Sequence, residues 1–525
     1  MDDLFNNNEH AQSIQMIRDQ LHIIKDQRNR TAIITNEVYR TNQPRLINTP
    51  LSHIGILPPI YPEWLGDKAF LQTHQVRFPY IVGEMANGIA SAKLVVAAAK
   101  VGFLSFFGAA GLMPTAVESN ISQIRQELTE SQKNWGSNLI HSPQEPALEE
   151  KMVNLYLTHQ VRKVSASAYL NLTPALVRFA CHGLTQDRDG SIIRRNYLFA
   201  KVSRPEVARQ FVMPAPNKLL TFLCEKGLLT HEETQLAQHI PLAEDITVEA
   251  DSGGHTDNRP LTALLPTIMA LAQDIQSRFA YHIPIRIGAA GGLGTPASIA
   301  AAFGLGAAYV LTGSINQCAI ESGLSDEAKK LLAQAQIADV AMAPAADMFE
   351  LGIKLQVLKR GTLFAAKANQ LYHYYQRYQH LDALSFDEKQ KLEQEILGAS
   401  INEVWTSTQQ FFAQRDPKQL ERAKKNPRHQ MALVFRWYLG LSSHWAIQGE
   451  TKRQTDYQIW CGPAMGAFNQ WVVGSFLQPL ANRSVEQIGR NLLEGAAVLQ
   501  RVQQLRSFGL HLSAVLFDYR PKYLN

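Results

Sequence analysis

Between Tyr80 and Leu311, short apolar runs alternate with longer stretches whose apolar residues recur at helical spacing. The runs are Tyr80–Gly83, Gly102–Phe106, Asn138–His141, Lys163–Ala166, Phe199–Val202, Ile246–Ala250, Ile285–Ala289 and Tyr309–Leu311. Runs this short predict strands, and the stretches between them predict helices. Eight such units in succession predict an α/β protein built on a TIM (β/α)8 barrel. A doubly wound sheet would need a Gly-x-Gly-x-x-Gly turn after its first strand and an acid about 20 residues further on. The loop Gly291-Gly292-Leu293-Gly294 falls late in the chain and has the wrong spacing for that.

The rhythm breaks once. Residues 213–245 open with Pro214 and Pro216 and then set Leu219, Leu220, Leu223, Leu228 and Leu229 among charged residues, which predicts a small helical insertion. At the catalytic rim it would act as a lid, and a surface elaboration without a gating role would have the same pattern. Residues 1–50 show weak amphipathic spacing (Ile14, Ile17, Leu21, Ile24) followed by polar extended chain, which predicts an N-terminal arm or helix on the outside. After Ser314, polar helices dominate at 326–335, 371–379, 387–397, 417–425, 429–441 and 484–507. Residues 326–525 are therefore predicted to form a C-terminal all-helical domain packed on a barrel spanning 51–325. Trp437, Trp445, Tyr457, Trp460 and Trp471 suit its core and its seam with the barrel, or a grip on an apolar substrate.

A chain of 525 residues with 46% hydrophobic and 18% charged content suits one large barrel plus a second unit. Cys181, Cys224, Cys318 and Cys461 lie far apart with no Cys-x-x-Cys spacing, so reduced thiols are expected and no metal site. The polar, acidic start Met1–Glu9 does not read as a signal peptide, and a cytoplasmic location is expected. Leu94–Met113 is apolar enough to suggest a membrane helix. However, Lys100 would cost about 2.5–3.5 kcal/mol there, and Gly102, Gly108 and Gly111 punctuate the stretch, so a buried βα segment and no membrane span are expected. The net charge of +5 is mild and dispersed, which argues against a nucleic acid partner. It suits an acidic protein partner as well as plain solvated surface.

The chemistry concentrates in three glycine loops at strand ends. The first breaks a strand at Gly253-Gly254, presents His255 and re-enters helix at Pro260. Glycines there let the backbone approach a flat or charged ligand closely, and a histidine beside them can exchange a proton near neutral pH. His255 is thus the candidate acid/base, the plain alternative being an ordinary βα turn with a surface histidine. The second loop is Gly288–Pro296 and the third Thr312-Gly313-Ser314. Consecutive glycine loops at the C-terminal ends of the last strands, with N–H groups at helix starts, predict a phosphate cradle. Close helix-on-strand packing would call for the same glycines.

The runs Asp251-Ser252-Gly253-Gly254-His255-Thr256-Asp257, Ala290–Gly294 and Thr312-Gly313-Ser314 resemble the nitronate monooxygenase and FabK-type enoyl reductase superfamily of FMN barrels. More narrowly, Glu249–Leu261, Gly83–Ser91 and Tyr457–Gly466 resemble the PfaD-like enoyl reductases of bacterial polyunsaturated fatty acid synthases and trans-acyltransferase polyketide synthases. The resemblance runs from about Leu51 almost to the C-terminus. It implies FMN at the barrel mouth, with Met85, Ala86 and Asn87 along the isoalloxazine and Asn138 and Lys201 at its polar edge. Gly254, Gly291, Gly292, Gly313 and Ser314 would hold the phosphate and ribityl side. An external salt bridge is the alternative role for Lys201.

The same resemblance implies NADPH as reductant and a trans-2-enoyl thioester on an acyl carrier protein as substrate, with His255 delivering the proton or steadying the enolate. It also implies other synthase subunits as partners and a homodimer. Asp251 and Asp257 would orient the histidine or cap the next helix, and Cys318 is assigned to packing. Two other functions stay open: a nitronate monooxygenase-type flavin oxidase, and a flavin barrel serving mainly as a synthase-complex subunit.

Overall fold

In a computed structural model, which describes residues 7–47, 51–141, 143 and 145–525, eight parallel strands close into a barrel. They are β1 Tyr80–Val82, β2 Leu104–Phe107, β3 Trp135–Ile140, β4 Lys163–Ser167, β5 Tyr197–Val202, β6 Asp245–Glu249, β7 Arg286–Ala290 and β8 Val310–Thr312. Each overlaps one of the apolar runs that predict it. Their side chains are almost all buried, as a sheet coated by helices outside and filled by side chains inside requires. The apolar stretch from Leu94 divides into the helix Ala92–Val101 and β2. Among the described residues, no helix is long and apolar enough to cross a membrane.

The barrel floor, where the strands begin, is closed by charge. Asp245 at the start of β6 accepts two hydrogen bonds of 2.7 Å from Arg286 and pairs with His74 at 2.9 Å, all three buried. The helical insertion, Asn217–Glu225 and His231–Leu236, lies at this end, which corrects the expectation of a lid at the catalytic rim. The chain leaving β5 first forms the helix Pro205–Val212, so its βα turn is already made before the insertion begins. The insertion therefore emerges where β6 starts, and none of its residues lines the cavity described below.

The N-terminal arm or helix expected over residues 1–50 holds the helices Asn7–Gln15 and Asn36–Ile47, but Leu21 and Ile24 of the predicted stripe lie in a small antiparallel sheet of Leu21–Lys25, Thr31–Thr35 and Ser52–Leu57. Ile23, Ile24, Ile33 and Ile34 with Thr31 and Thr35 favour strand over helix, and Asn29 at φ 62° turns the first hairpin. Arg501 anchors the sheet by donating to the carbonyls of Met16, Ile17, Asp19 and Pro58. Residues 1–6 and 48–50 of the expected arm lie outside the described residues.

After β8 the chain leaves the barrel. It forms a hairpin of Val340–Pro344 and Lys354–Leu358 and then helices that include Phe364–Arg377, Ile401–Arg415, Pro417–Lys425 and Pro427–Gln448. It returns as Val485–Ser507, which packs on Pro296–Gly304 after β7 and on Ala92–Val101 after β1. That is the place of the barrel's eighth helix. The helical region expected as a unit from 326 onward is thus an excursion inside the last βα unit, and it carries a hairpin that weak alternation in the sequence hides. Removing residues 485–525 is expected to expose the apolar faces of both neighbouring helices and abolish cooperative unfolding. Scanning calorimetry checks this, since a sharp transition with native near-ultraviolet circular dichroism would mean the barrel closes without that helix.

Candidate active site

The C-terminal strand ends open on one cavity of about 720 Å³. Met85, Ala86, Asn87, Asn138, Lys201, Gly254, His255, Gly291, Gly292, Gly313 and Ser314 all line it. Residues far apart along the chain therefore meet at the mouth that the glycine loops predict. The roof comes from the excursion: Phe411, Phe412 and Arg415 from one helix, Arg436 and Trp437 from another. Arg415 ties that roof to the rim through a two-pronged pair with Glu145 at 2.9 and 3.0 Å.

The glycine loops meet two different demands. Gly291 has φ +83°, and a Cβ there would stand 2.7 Å from the Ala250 backbone, so close approach excludes a side chain. Gly292 has φ +70°, and a Cβ there would meet nothing within 4 Å, as at Gly313. The space in front of these two residues is open, which is the form of a cradle. The helix start expected after Gly313 is only a short 3-10 turn, Ser314–Cys318, because the Asn316 amide donates to the Thr312 carbonyl and hydroxyl at 2.9 Å and competes with a regular helix. The run Tyr457–Gly466 clamps the loops from behind. Gly462 N–H donates to Ser314 Oγ at 3.4 Å, and a Cβ on Gly462 would stand 2.7 Å from Gly253 N.

Lys201 is no external salt-bridge residue. Its side chain is 14% exposed and its ammonium lies between two carboxylates, 2.9 Å from Glu249 and 3.1 Å from Glu84. Burial opposes its charge, but Glu249 and then Glu84 outweigh that and raise its pKa. Glu84 also accepts from Ser165 and Ser167 at 2.9 Å, and its second oxygen is buried without a partner. Burial raises the Glu249 carboxyl above its ordinary 4.5, Lys201 opposes this, and Glu84 adds to it. Lys201→Met would leave the two acids facing each other, at a cost of about 3–5 kcal/mol near neutrality. The folded state of that variant would favour a protonated Glu249 more than the unfolded chain does. Its stability should then be greatest below about pH 4.5, by the ordinary value, and fall as pH rises through the raised folded value. Thermal melts from pH 4 to 8 measure this, and a deficit independent of pH would contradict the pairing.

His255 sits on a two-residue strand, Gly254–His255, that pairs with Lys354–Leu358 of the hairpin and not with the barrel. Its Nε2 is 3.4 Å from Asp347 Oδ1, an ion-pair distance at which no hydrogen bond is closed. Burial disfavours the imidazolium, but Asp347 and then Glu249 outweigh it, so the pKa is raised. Asp257 neither orients the ring nor caps a helix. It binds Ser203 at 2.6 Å and Arg204 at 2.9 and 2.8 Å. Asp251 accepts from Asn258 and Gln356 at 2.8 Å. Asn138 donates to the Ser165 carbonyl and Ser167 hydroxyl, and Asn87 reaches Ser443 of the roof at 3.4 Å. Cys318 is fully buried outside the cavity lining, and burial pushes its thiol up to about 11.

A flat anionic cofactor fits these residues. The open cradle at Gly292 and Gly313 has room for a phosphate, and four buried polar atoms without a hydrogen-bond partner, Glu84 Oε2, Ser252 Oγ, His255 Nε2 and Gln317 Oε1, belong to residues that line the cavity. Sequence reasoning missed Glu84, Glu249 and Asp347 as working groups. An acid closing a buried apolar strand, as Glu249 does in Thr247-Val248-Glu249, is a readable signal. Asp347, among small residues in Pro344–Met348, carries none.

The nitronate monooxygenase family profile matches residues 68–404, and that of the inserted helical domain of [acyl-carrier-protein] S-malonyltransferase matches 378–457, the roof. The polyketide biosynthesis protein PksE of Bacillus subtilis is 45% identical over 445 residues, 84% of this chain and 58% of its own. A polyunsaturated fatty acid synthase polypeptide of a Thraustochytrium species is 43% identical over 467 residues, 87% of this chain and 31% of its own. The chain thus spans between about a third and three-fifths of these curated relatives. The enoyl reductase domain of MlnA, from the macrolactin cluster of Bacillus amyloliquefaciens, superposes with a TM-score of 0.81 at 37% identity, covering 85% of this chain and 99% of that domain. With the barrel, the glycine cradle and the roof all accounted for, the chain belongs to the nitronate monooxygenase family and, within it, to the PfaD-like enoyl reductases.

Proposed function

We propose that this chain is an FMN-dependent enoyl reductase that uses NADPH to reduce trans-2-enoyl thioesters carried on an acyl carrier protein of a polyunsaturated fatty acid or polyketide synthase. The observation that carries the reading is a charge-stabilised histidine facing a roofed cavity next to an open glycine cradle. Gly291, Gly292, Gly313 and Ser314 would hold the phosphate, Gly254 the ribityl side, Met85 and Ala86 the ring face, and Asn138, Glu84 and Lys201 its polar edge. A bound flavin supplies a two-electron carrier, charged by a nicotinamide and discharged at the thioester's β-carbon.

The chain's own residues do the rest. His255 delivers a proton to the α-carbon, where negative charge builds as the β-carbon is reduced. Lys201, held charged between two acids, fixes a buried ion cluster in the cavity lining. Phe411, Phe412 and Trp437 give the roof an apolar wall for an acyl chain and keep water from the reacting carbons. Synthase partners follow from the relatives' names, and the roof's likeness to a domain of a carrier-protein transferase supports delivery by a carrier.

The test is anaerobic. The purified protein should show a flavin spectrum that bleaches with NADPH and recovers with an enoyl thioester. Recovery with oxygen alone, and turnover of a nitronate without nicotinamide, would replace this reading with the monooxygenase one. A protein that binds no flavin would leave only a role in assembling the synthase.

A further inference from the structure

We propose that Asp347 is a positioning residue for His255, fixing the imidazole over the cavity from the turn of the roof hairpin and holding it in its proton-donating form. The inference deepens the enoyl reductase reading, which says what the proton is for. The pairing itself rests on geometry. The hairpin strand Lys354–Leu358 is hydrogen-bonded to the histidine's own backbone, with Gly254 opposite Gln356 and His255 opposite Leu355. The turn of the same hairpin carries Asp347. Acid and base therefore sit on one small sheet, and movement of the loop after β6 relative to the barrel leaves their separation unchanged. The Gln356 side chain strengthens the unit by donating to Asp251 Oδ1 and to the Ser252 carbonyl, both at 2.8 Å.

The charges around the ring come from four elements. Asp347 faces it from the hairpin, Glu249 and Lys201 from strands β6 and β5, and Arg436 stands behind Asp347 on the roof helix, where it is 3.6 Å from Glu350. On the histidine's own loop, Asp251 and Asp257 are held by Asn258, Gln356, Ser203 and Arg204. Lys201 is already neutralised by its two acids, which leaves Asp347 as the main opposite charge at the ring. Burial would raise the Asp347 carboxyl, but His255 and then Arg436 hold it below the usual carboxylate range. At 3.4 Å the carboxylate is near enough to attract the cation.

The experiment compares Asp347→Asn, Asp347→Ala and Asp347→Glu in the flavin-loaded protein. The His255 titration is followed by nuclear magnetic resonance in histidine-labelled samples, with His255→Gln assigning the signal. The midpoint is expected to fall by about one pH unit in the Asn and Ala variants and to return in the Glu variant. Reoxidation by enoyl thioester should lose activity on the alkaline side at correspondingly lower pH, about tenfold slower at pH 8, while bleaching by NADPH stays within about twofold of wild type. An unchanged His255 midpoint in the isosteric Asn variant overturns the proposal. So does a shifted midpoint with an unshifted reoxidation profile, since the pair would then be structural only. If no enoyl thioester reoxidises the wild type, the functional reading fails, and the midpoint still decides the pairing.

Discussion

A Gly292→Val protein is expected to fold and to carry no flavin. The Cβ position at Gly292 meets nothing within 4 Å, so valine adds no clash with the protein. The added methyls would enter the open space of the cradle. The φ of +70° is also one that a β-branched residue resists, at about 1–3 kcal/mol of backbone strain. The methyls act on the ligand, and the strain falls on the loop backbone, a small cost beside the stability of a cooperatively folded barrel. The neighbouring Gly291 differs, since a side chain there would strike the Ala250 backbone and disturb β6 itself. The two variants should therefore separate: loss of visible flavin absorbance with an intact melt for Gly292→Val, and loss of both for Gly291→Val. Full flavin occupancy in Gly292→Val would remove the cradle assignment.

His255→Ala is expected to split the two half-reactions. The ring lies in the cavity but is paired with Asp347, outside the glycine cradle, so flavin content and bleaching by NADPH should be close to wild type. Reoxidation by an enoyl thioester should slow by at least about 10²-fold, the usual loss when a general acid is removed. Stopped-flow traces of each half-reaction decide it. Equal slowing of both would make His255 a cofactor contact, and slowing of neither would make it a bystander.

The barrel was legible where strands buried on both faces read as short apolar runs, Tyr80-Ile81-Val82 and Val310-Leu311 among them, and less so in Trp135–Ile140 and Lys163–Ser167, whose buried positions include Ser137, Asn138 and Ser165. The insertion at 213–245 was legible as helix but not in its place. Pro205–Val212 went unrecognised as the helix completing the fifth unit, and without it the insertion reads as a βα loop at the wrong end. The N-terminal hairpin was hidden because Ile14, Ile17, Leu21 and Ile24 mimic a helical stripe, although the last two lie on a strand. The site residues after strand ends were readable from glycine spacing. Asp347 was not, because its partner lies 92 positions away, in a pairing that exists only once the hairpin has docked on the loop after β6 (347 − 255).

The excursion between β8 and the last helix also sets an order on synthesis. The roughly 170 residues from Thr312 to Val485 take on the order of ten to thirty seconds to emerge at about 5–20 residues per second. For that interval the helices Ala92–Val101 and Pro296–Gly304 exist without the neighbour that packs on both, while the roof is still being made. The nascent chain thus presents an open apolar groove whose complement is Val485–Ser507 itself, which makes a chaperone, or the groove of a sibling chain, the natural competitor for it until translation ends.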